Sequence, residues 1–250
     1  MYILDEIFEA HGGQGHWQSV HSISLQLRFH GLAFASKFNR SGLLERDVQV
    51  FTRQCKVIFS DYPKKGYTGV FEHDSVSIED PNGAKIIDRK NCRDSFSSFQ
   101  KTVYWNDADL LYFAGYALWN YINIPFLLGY EGVTIKSFNE WTEKGEVLYK
   151  LTAEFSNLIP THCKKQSYYF NKELLLVRHD YNPEIFSPYA KAAHYSWNHK
   201  DVDGLKIPFN RKVVPRMNNG TTKSWPQLVW IHISNAHVNS QQNTDVLLNN

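Results

Sequence analysis

The chain has 250 residues, 42% of them hydrophobic and 15% aromatic, and its 27 basic and 25 acidic residues leave a formal net charge of +2. A chain of this length can bury a large core without disulfides or a metal. Its near-neutral charge excludes a strongly cationic nucleic-acid coat and an acidic disordered solvator. A mean hydropathy of −0.44 excludes a polytopic membrane protein.

Residues 1–10 read as a short amphipathic helix, with Ile3 and Ile7 on one stripe and Leu4 and Phe8 beside them. Gly12-Gly13 ends it, since glycine takes the left-handed C-terminal conformation cheaply. After Trp17 the period changes to two. Ile23, Leu25, Leu27 and Phe29 alternate with Ser22, Ser24, Gln26 and Arg28, as in a half-buried antiparallel strand. Residues 47–59 read as another strand, and 67–71, 75–79 and 84–89 as shorter ones, with Asp80-Pro81-Asn82-Gly83 a strong turn signal.

Asn106 is a good N-cap for a second helix, and Asp107 and Asp109 occupy its first turn, where the helix dipole favours acidic groups. Its apolar run continues to about Tyr121 and regular helix has ended by Pro125. Leu110–Tyr130 holds 21 residues without a charge, long enough to cross a bilayer. However, Asn120, Asn123, Pro125 and aromatic residues run through its centre, where a span would be aliphatic, so a buried helix or lid is expected instead. Strand signals resume at 132–138, 146–156, 164–170, 174–181, 192–198, 205–216 and 227–235, and Asn171-Lys172-Glu173 reads as a hairpin loop. The expected fold is mainly β: one curved antiparallel sheet of about ten or eleven strands, a half-open barrel with an N-terminal helix and an inserted aromatic helix as plug or lid. Residues 1–239 are expected to form one domain, and 240–250, rich in Gln and Asn, a frayed tail.

The first ten residues carry acidic groups where a signal peptide needs basic ones, and Cys55, Cys92 and Cys163 are an odd, widely spaced set. They suit neither a disulfide framework nor zinc. The expectation is free thiols and a cytoplasmic protein, or a periplasmic one if a leader has been removed.

The element order has a parallel in a known family. It runs from the helix through Gly12-Gly13 and Trp17 into long strands, with Gly69-Val70-Phe71 turning into Val76-Ser77-Ile78-Glu79. Asn82-Gly83 then leads to a basic stretch with Arg89 and Arg93. Later come Tyr169-Phe170-Asn171, the hairpin into Leu174–Arg178, and Asp203-Gly204-Leu205-Lys206-Ile207-Pro208. This resembles the LolA/LolB-like lipoprotein-carrier superfamily, which also holds mycobacterial lipoproteins of the LppX and LprG type. The resemblance implies a half-open antiparallel barrel around a hydrophobic cavity, with helices plugging or covering its mouth. It carries no residue roles with it, and fold alone does not give function.

Among the 11 histidines, His11, His16 and His21 recur every fifth residue, as do His194 and His199; zinc sites on helices prefer i, i+4 pairs, so surface or capping roles are expected and no metal. A second set is His162, Arg178-His179-Asp180-Tyr181 and His194-Tyr195. Side chains alternate along a strand, so His179 and Tyr181 share one face, Arg178 and Asp180 the other, and one pair points inward. An inward His/Tyr pair could act as general acid and base, which makes His179, Tyr181, His194 and His162 the catalytic candidates. An inward Arg/Asp pair would be a structural ion pair or a clamp for a ligand carboxylate, with Arg178 the candidate anchor. Arg89 and Arg93, with Asp88 and Asp94 around Cys92, read as surface salt bridging. With no nucleotide-binding glycine motif and no nucleophile elbow, no cofactor is expected.

The aromatics weigh most. Nine of the 7 Trp, 14 Tyr and 16 Phe lie between Tyr104 and Tyr130. On a helix, Phe113, Ala117 and Tyr121 form one stripe and Tyr112, Tyr116 and Trp119 the adjacent one, more than packing on one sheet face requires. Part of this surface is expected to line a ligand cavity, with Trp17, Phe71, Trp105, Phe113, Tyr116, Trp119 and Phe126 as its aromatic wall. The expected function is binding of a hydrophobic small molecule, lipid or acyl chain, with no nucleic-acid partner and no stable membrane span. A cofactor-independent enzyme acting on a hydrophobic substrate and a structural protein with a filled barrel are the alternatives.

Overall fold

The computed structural model describes residues 2–35, 37, 45–97, 103–187 and 189–240. Helices α1 (Tyr2–Ala10) and α2 (Gln14–Ser19) lead into β1 (Val20–His30), which a short helix α3 (Leu32–Ala35) follows. Then come β2 (Arg46–Phe51), β3 (Lys56–Ser60), β4 (Thr68–Glu72), β5 (Ser75–Glu79) and β6 (Lys85–Arg89). Helix α4 (Asp107–Asn123) separates these from β7 (Val133–Glu143), β8 (Glu146–Phe155), β9 (Lys165–Phe170), β10 (Leu176–Tyr181), β11 (Ala192–Val202), β12 (Leu205–Pro215) and β13 (Val229–Ser240).

All thirteen strands join one sheet, in the order β6-β5-β4-β3-β2-β1-β13-β12-β11-β10-β9-β8-β7. Each half of the chain is a meander of antiparallel neighbours, and the pairing of β1 with β13 joins the two halves at the centre. The count exceeds the expected ten or eleven partly because residues 47–59 form two strands. Between them the Thr52 hydroxyl donates to the Val20 carbonyl (2.6 Å) and Arg53 to the Trp17 carbonyl (2.5 Å), so the chain turns back there. A second departure is α2, whose sequence QGHWQS carries no apolar period to announce it. Of the expected tail, Ser240 ends β13, and residues 241–250 lie outside the described residues.

Local chemistry accounts for the turns. Asp203-Gly204 joins β11 to β12 with both residues at positive φ (48° and 90°), the two-residue geometry whose twist matches that of paired strands. The period-two pattern of β1 buries Ile23, Leu25, Leu27 and Phe29 to 5% exposure or less. Residues Ala108–Asn123 of α4 are all buried, so this helix is the plug of the sheet rather than an amphipathic cover. Its start is a capping box: the Asn106 side chain accepts from the Asp109 N–H (3.0 Å) and the Asp109 carboxylate from the Asn106 N–H (2.9 Å). Gly115 lets it sit close to β4, because a Cβ there would come within 2.3 Å of the Phe71 Cβ. Among the described residues no helix is long and apolar enough to cross a membrane. All three cysteines are free.

Candidate functional site

Two stripes of α4 have different work. Phe113, Ala114, Ala117, Leu118 and Tyr121 face a cavity of about 380 Å³. Across it stand Phe29 of β1, Ala192 of β11, Val213 of β12, and Val229 and Ile231 of β13. Period-two burial of these strands turns their apolar side chains toward the helix. Five alanines line it, among them Ala114 and Ala117 on the helix and Ala192 on the sheet, and their small side chains keep the space open. Leu32, 49% exposed, also lines it, so the cavity opens beside α3. Lys37 and Phe186 belong to this wall, with the Lys37 Nζ 4.9 Å from the Phe186 ring centre and 5.1 Å from that of Trp105. Burial lowers the Lys37 pKa.

The buried end of the cavity is polar and is formed by Tyr121, His162 and Tyr181. The Tyr121 hydroxyl lies 2.8 Å from His162 Nε2 and 2.7 Å from the Tyr181 hydroxyl. Tyr116, on the second helical stripe, brings its hydroxyl to within 3.0 Å of His162 Nδ1. The His162 and Tyr181 rings stack, with centroids 3.9 Å apart and planes at 6°. Burial drives His162 well below the usual histidine range and pushes the Tyr116, Tyr121 and Tyr181 hydroxyls up. The network is therefore neutral at neutral pH, a set of hydroxyls and one neutral imidazole.

Of the four acid/base candidates, His162 and Tyr181 line the cavity. His179 and His194 are opposed partners on β10 and β11, next in line on the same inner face. His179 donates from Nε2 to the Gln166 Oε1 (2.5 Å) and stacks on Tyr168, and burial holds its pKa down at about 3. His194 meets Tyr121 edge-on at 4.3 Å, and among the described residues neither of its ring nitrogens has a hydrogen-bond partner.

Of the aromatic candidates, Phe113 lines the cavity and Tyr116 supports it through His162. Trp105 backs the wall, packed on Phe113 and Phe186. The others pack elsewhere. Phe71 meets Tyr112 beneath Gly115. Trp119 donates from Nε1 to the Phe51 and Gln54 carbonyls at the β2–β3 turn. Trp17 stacks on Phe126 with centroids 4.3 Å apart, beside a separate recess of about 200 Å³.

Arg178 faces away from the cavity, on the opposite side of β10. There it forks onto Asp180 with two 2.8 Å hydrogen bonds, meets Glu143 at 2.9 Å and donates to the Gly220 carbonyl (2.7 Å). Both alternate faces of β10 are thus buried: His179 and Tyr181 point inward, while Arg178 and Asp180 form a structural ion-pair cluster that leaves the arginine no reach into the cavity. The patch around Cys92 also differs from simple surface pairing, since Arg89 pairs with the fully buried Asp109 (2.8 Å) and Arg93 with Glu184 (3.1 Å). Sequence reasoning singled out Tyr121 only as part of a stripe, and missed Phe186, Lys37 and the apolar residues of β13. For β13 the signal is the same alternation that marks strands, which does not say which strand lies opposite which helix face, while Lys37 and Phe186 lie outside the strands.

Three solved structures resemble this one across nearly the whole chain. A LolA superfamily protein from Nitrosomonas europaea superposes with a TM-score of 0.52 at 10% identity, covering 96% of this chain and 94% of its own. A DUF1329 family protein from Desulfovibrio piger gives 0.47 at 12% identity, covering 98% and 93%. A structure from Vibrio parahaemolyticus described as an outer membrane lipoprotein-sorting protein domain gives 0.47 at 9% identity, covering 97% and 93%. The first of these shows that the chain has a LolA-like fold, as the element order implied. No protein-family model matches the sequence, and no curated protein matches it significantly. The comparisons lend no support to a cytoplasmic placement.

Proposed function

We propose that the protein binds a small hydrophobic molecule or a single acyl chain in the cavity between α4 and the inner face of the sheet. The observation that carries this reading is the cavity itself: about 380 Å³, walled by aliphatic and aromatic side chains, open beside Leu32 and closed by the Tyr121–His162–Tyr181 group. Ligand pockets of roughly 300–1,000 Å³ share this make-up, with apolar walls and a few placed polar groups. The volume is at the small end of that range and suits one chain better than several. A LolA-like fold is compatible with a carrier role.

Native mass spectrometry of the protein purified without detergent tests this. The expected result is a co-purified hydrophobic species of small mass that is released on denaturation, or an empty protein that gains thermal stability with single-chain amphiphiles. An empty protein whose melting temperature no amphiphile raises would favour the filled barrel.

A further inference from the structure

The polar end of the cavity holds more hydrogen-bond protons than the contacts within its network use. Tyr116, Tyr121 and Tyr181 each bring one O–H, and neutral His162 brings one N–H. These four protons serve three contacts: Tyr116 with His162 Nδ1, Tyr121 with His162 Nε2, and Tyr121 with Tyr181. If Nδ1 carries the ring proton, the Tyr116 proton is left over. If Nε2 carries it, the surplus falls on Tyr121 or Tyr181, both of which line the cavity.

A second observation lies behind Tyr121. Arg211 of β12 is 3% exposed and has no carboxylate within ion-pairing distance among the described residues. Its Nη2 donates to the Tyr121 carbonyl (2.9 Å), its Nη1 reaches the Ser196 hydroxyl only at 3.4 Å, and its Nε has no partner among the described residues. The carbonyl end of α4 offsets part of this charge. The remainder stands among neutral groups, since Arg211 acts electrostatically on His179, His194 and His199. An uncompensated cation in a protein interior is strongly unfavourable. The His194 ring, 1% exposed, edge-on to Tyr121 and without a hydrogen-bond partner among the described residues, adds a further buried polar group beside Tyr121.

We propose that the ligand is a single-chain carboxylic acid bound head inward as its carboxylate. One carboxylate oxygen accepts the surplus hydroxyl proton of Tyr181 or Tyr121, Arg211 supplies the positive field from behind Tyr121, and the hydrocarbon tail runs out past Ala117 toward Leu32. This rests on the reading of the cavity as a hydrophobic binding site.

Calorimetric titration of the full chain with dodecanoate, dodecan-1-ol and acetate tests it. A hydrogen bond to a charged acceptor predicts dodecanoate binding at least about tenfold more tightly than the alcohol. In Tyr121→Phe/Tyr181→Phe, which removes both hydroxyls that could meet the carboxylate, the dodecanoate-to-dodecanol affinity ratio falls toward unity; should that variant not fold, the wild-type ratio alone decides. Equal affinity for acid and alcohol would overturn the proposal and leave the hydrophobic reading standing, whereas binding of neither long-chain ligand would defeat both. Acetate binding as tightly as dodecanoate would mark a free-anion site and overturn the acyl assignment. A ratio lost in Lys37→Met and kept in Tyr121→Phe/Tyr181→Phe would place the acid at the mouth, which also overturns it.

Discussion

The hydroxyls of Tyr121 on α4 and Tyr181 on β10 lie 2.7 Å apart, joined across 60 residues of sequence at the buried end of the cavity. This contact ties the plug helix to the half of the sheet that follows it. Tyr121→Phe removes it together with the bond to His162 Nε2, leaving a buried ring nitrogen without its partner. The expected cost is about 1–3 kcal/mol of stability, read as a lower urea midpoint with an unchanged slope. A variant as stable as wild type would mean that the network contributes nothing to fixing the helix.

On the other side of α4, Gly115 tests how closely the helix approaches β4. An added methyl would overlap Phe71 Cβ and Cγ at 2.3 and 2.4 Å, and neither atom is the far end of a flexible chain. Gly115→Ala is therefore expected to destabilise by about 1–3 kcal/mol, despite alanine's better helix propensity. Denaturant melts of the two proteins check the sign, and a stabilised variant would contradict the packing described.

The pair Arg89–Asp109 joins the outer strand β6 to the first turn of α4, with Asp109 fully buried. Asp109→Ala breaks both the capping box and the ion pair, and the expected loss is about 3–5 kcal/mol, as for other buried pairs with one partner removed. Chemical denaturation would show it, and an exposed-pair value below about 1 kcal/mol would contradict the burial.

Stability should also fall in acid. Burial holds His11, His179 and His199 at about 4, 3 and 4, below the 6.5 of an exposed histidine. The unfolded chain therefore binds protons below 6.5 that the folded chain refuses until pH reaches the lower values. The sign follows directly: stability is level above about pH 6.5 and drops below it, by up to about 1.4 kcal/mol per pH unit for each histidine. His162 and His194, also lowered by burial, act in the same direction. Urea midpoints across this range measure the effect, and a midpoint constant down to pH 5 would contradict it.

Much of the fold was legible because its signals are local. Alternation at Ile23, Leu25, Leu27 and Phe29 marked β1, Asn106 and Asp109 marked the start of α4, and Asp80-Pro81-Asn82-Gly83 marked the turn between β5 and β6. The stripe Phe113–Ala117–Tyr121 also pointed to the cavity-facing side of α4. What the sequence concealed is long-range: which way β10 faces, and which residues it meets. Alternation separated His179 and Tyr181 from Arg178 and Asp180, but assigning the inner side required the register of β9, β10 and β11. Seven aromatic candidates had equal claims by composition, and only tertiary contacts send Trp17, Phe71, Trp119 and Phe126 into other packing sites.

The central claim, a cavity that holds a hydrophobic ligand, is tested most directly by closing that cavity. Ala117 lines it from the helix and is 4% exposed, so Ala117→Trp places an indole in the space proposed for the ligand. Titration of a single-chain amphiphile into both proteins, with circular dichroism to confirm the fold, should show binding to wild type and its loss in a folded Ala117→Trp protein. Undiminished binding by the folded variant would contradict the account.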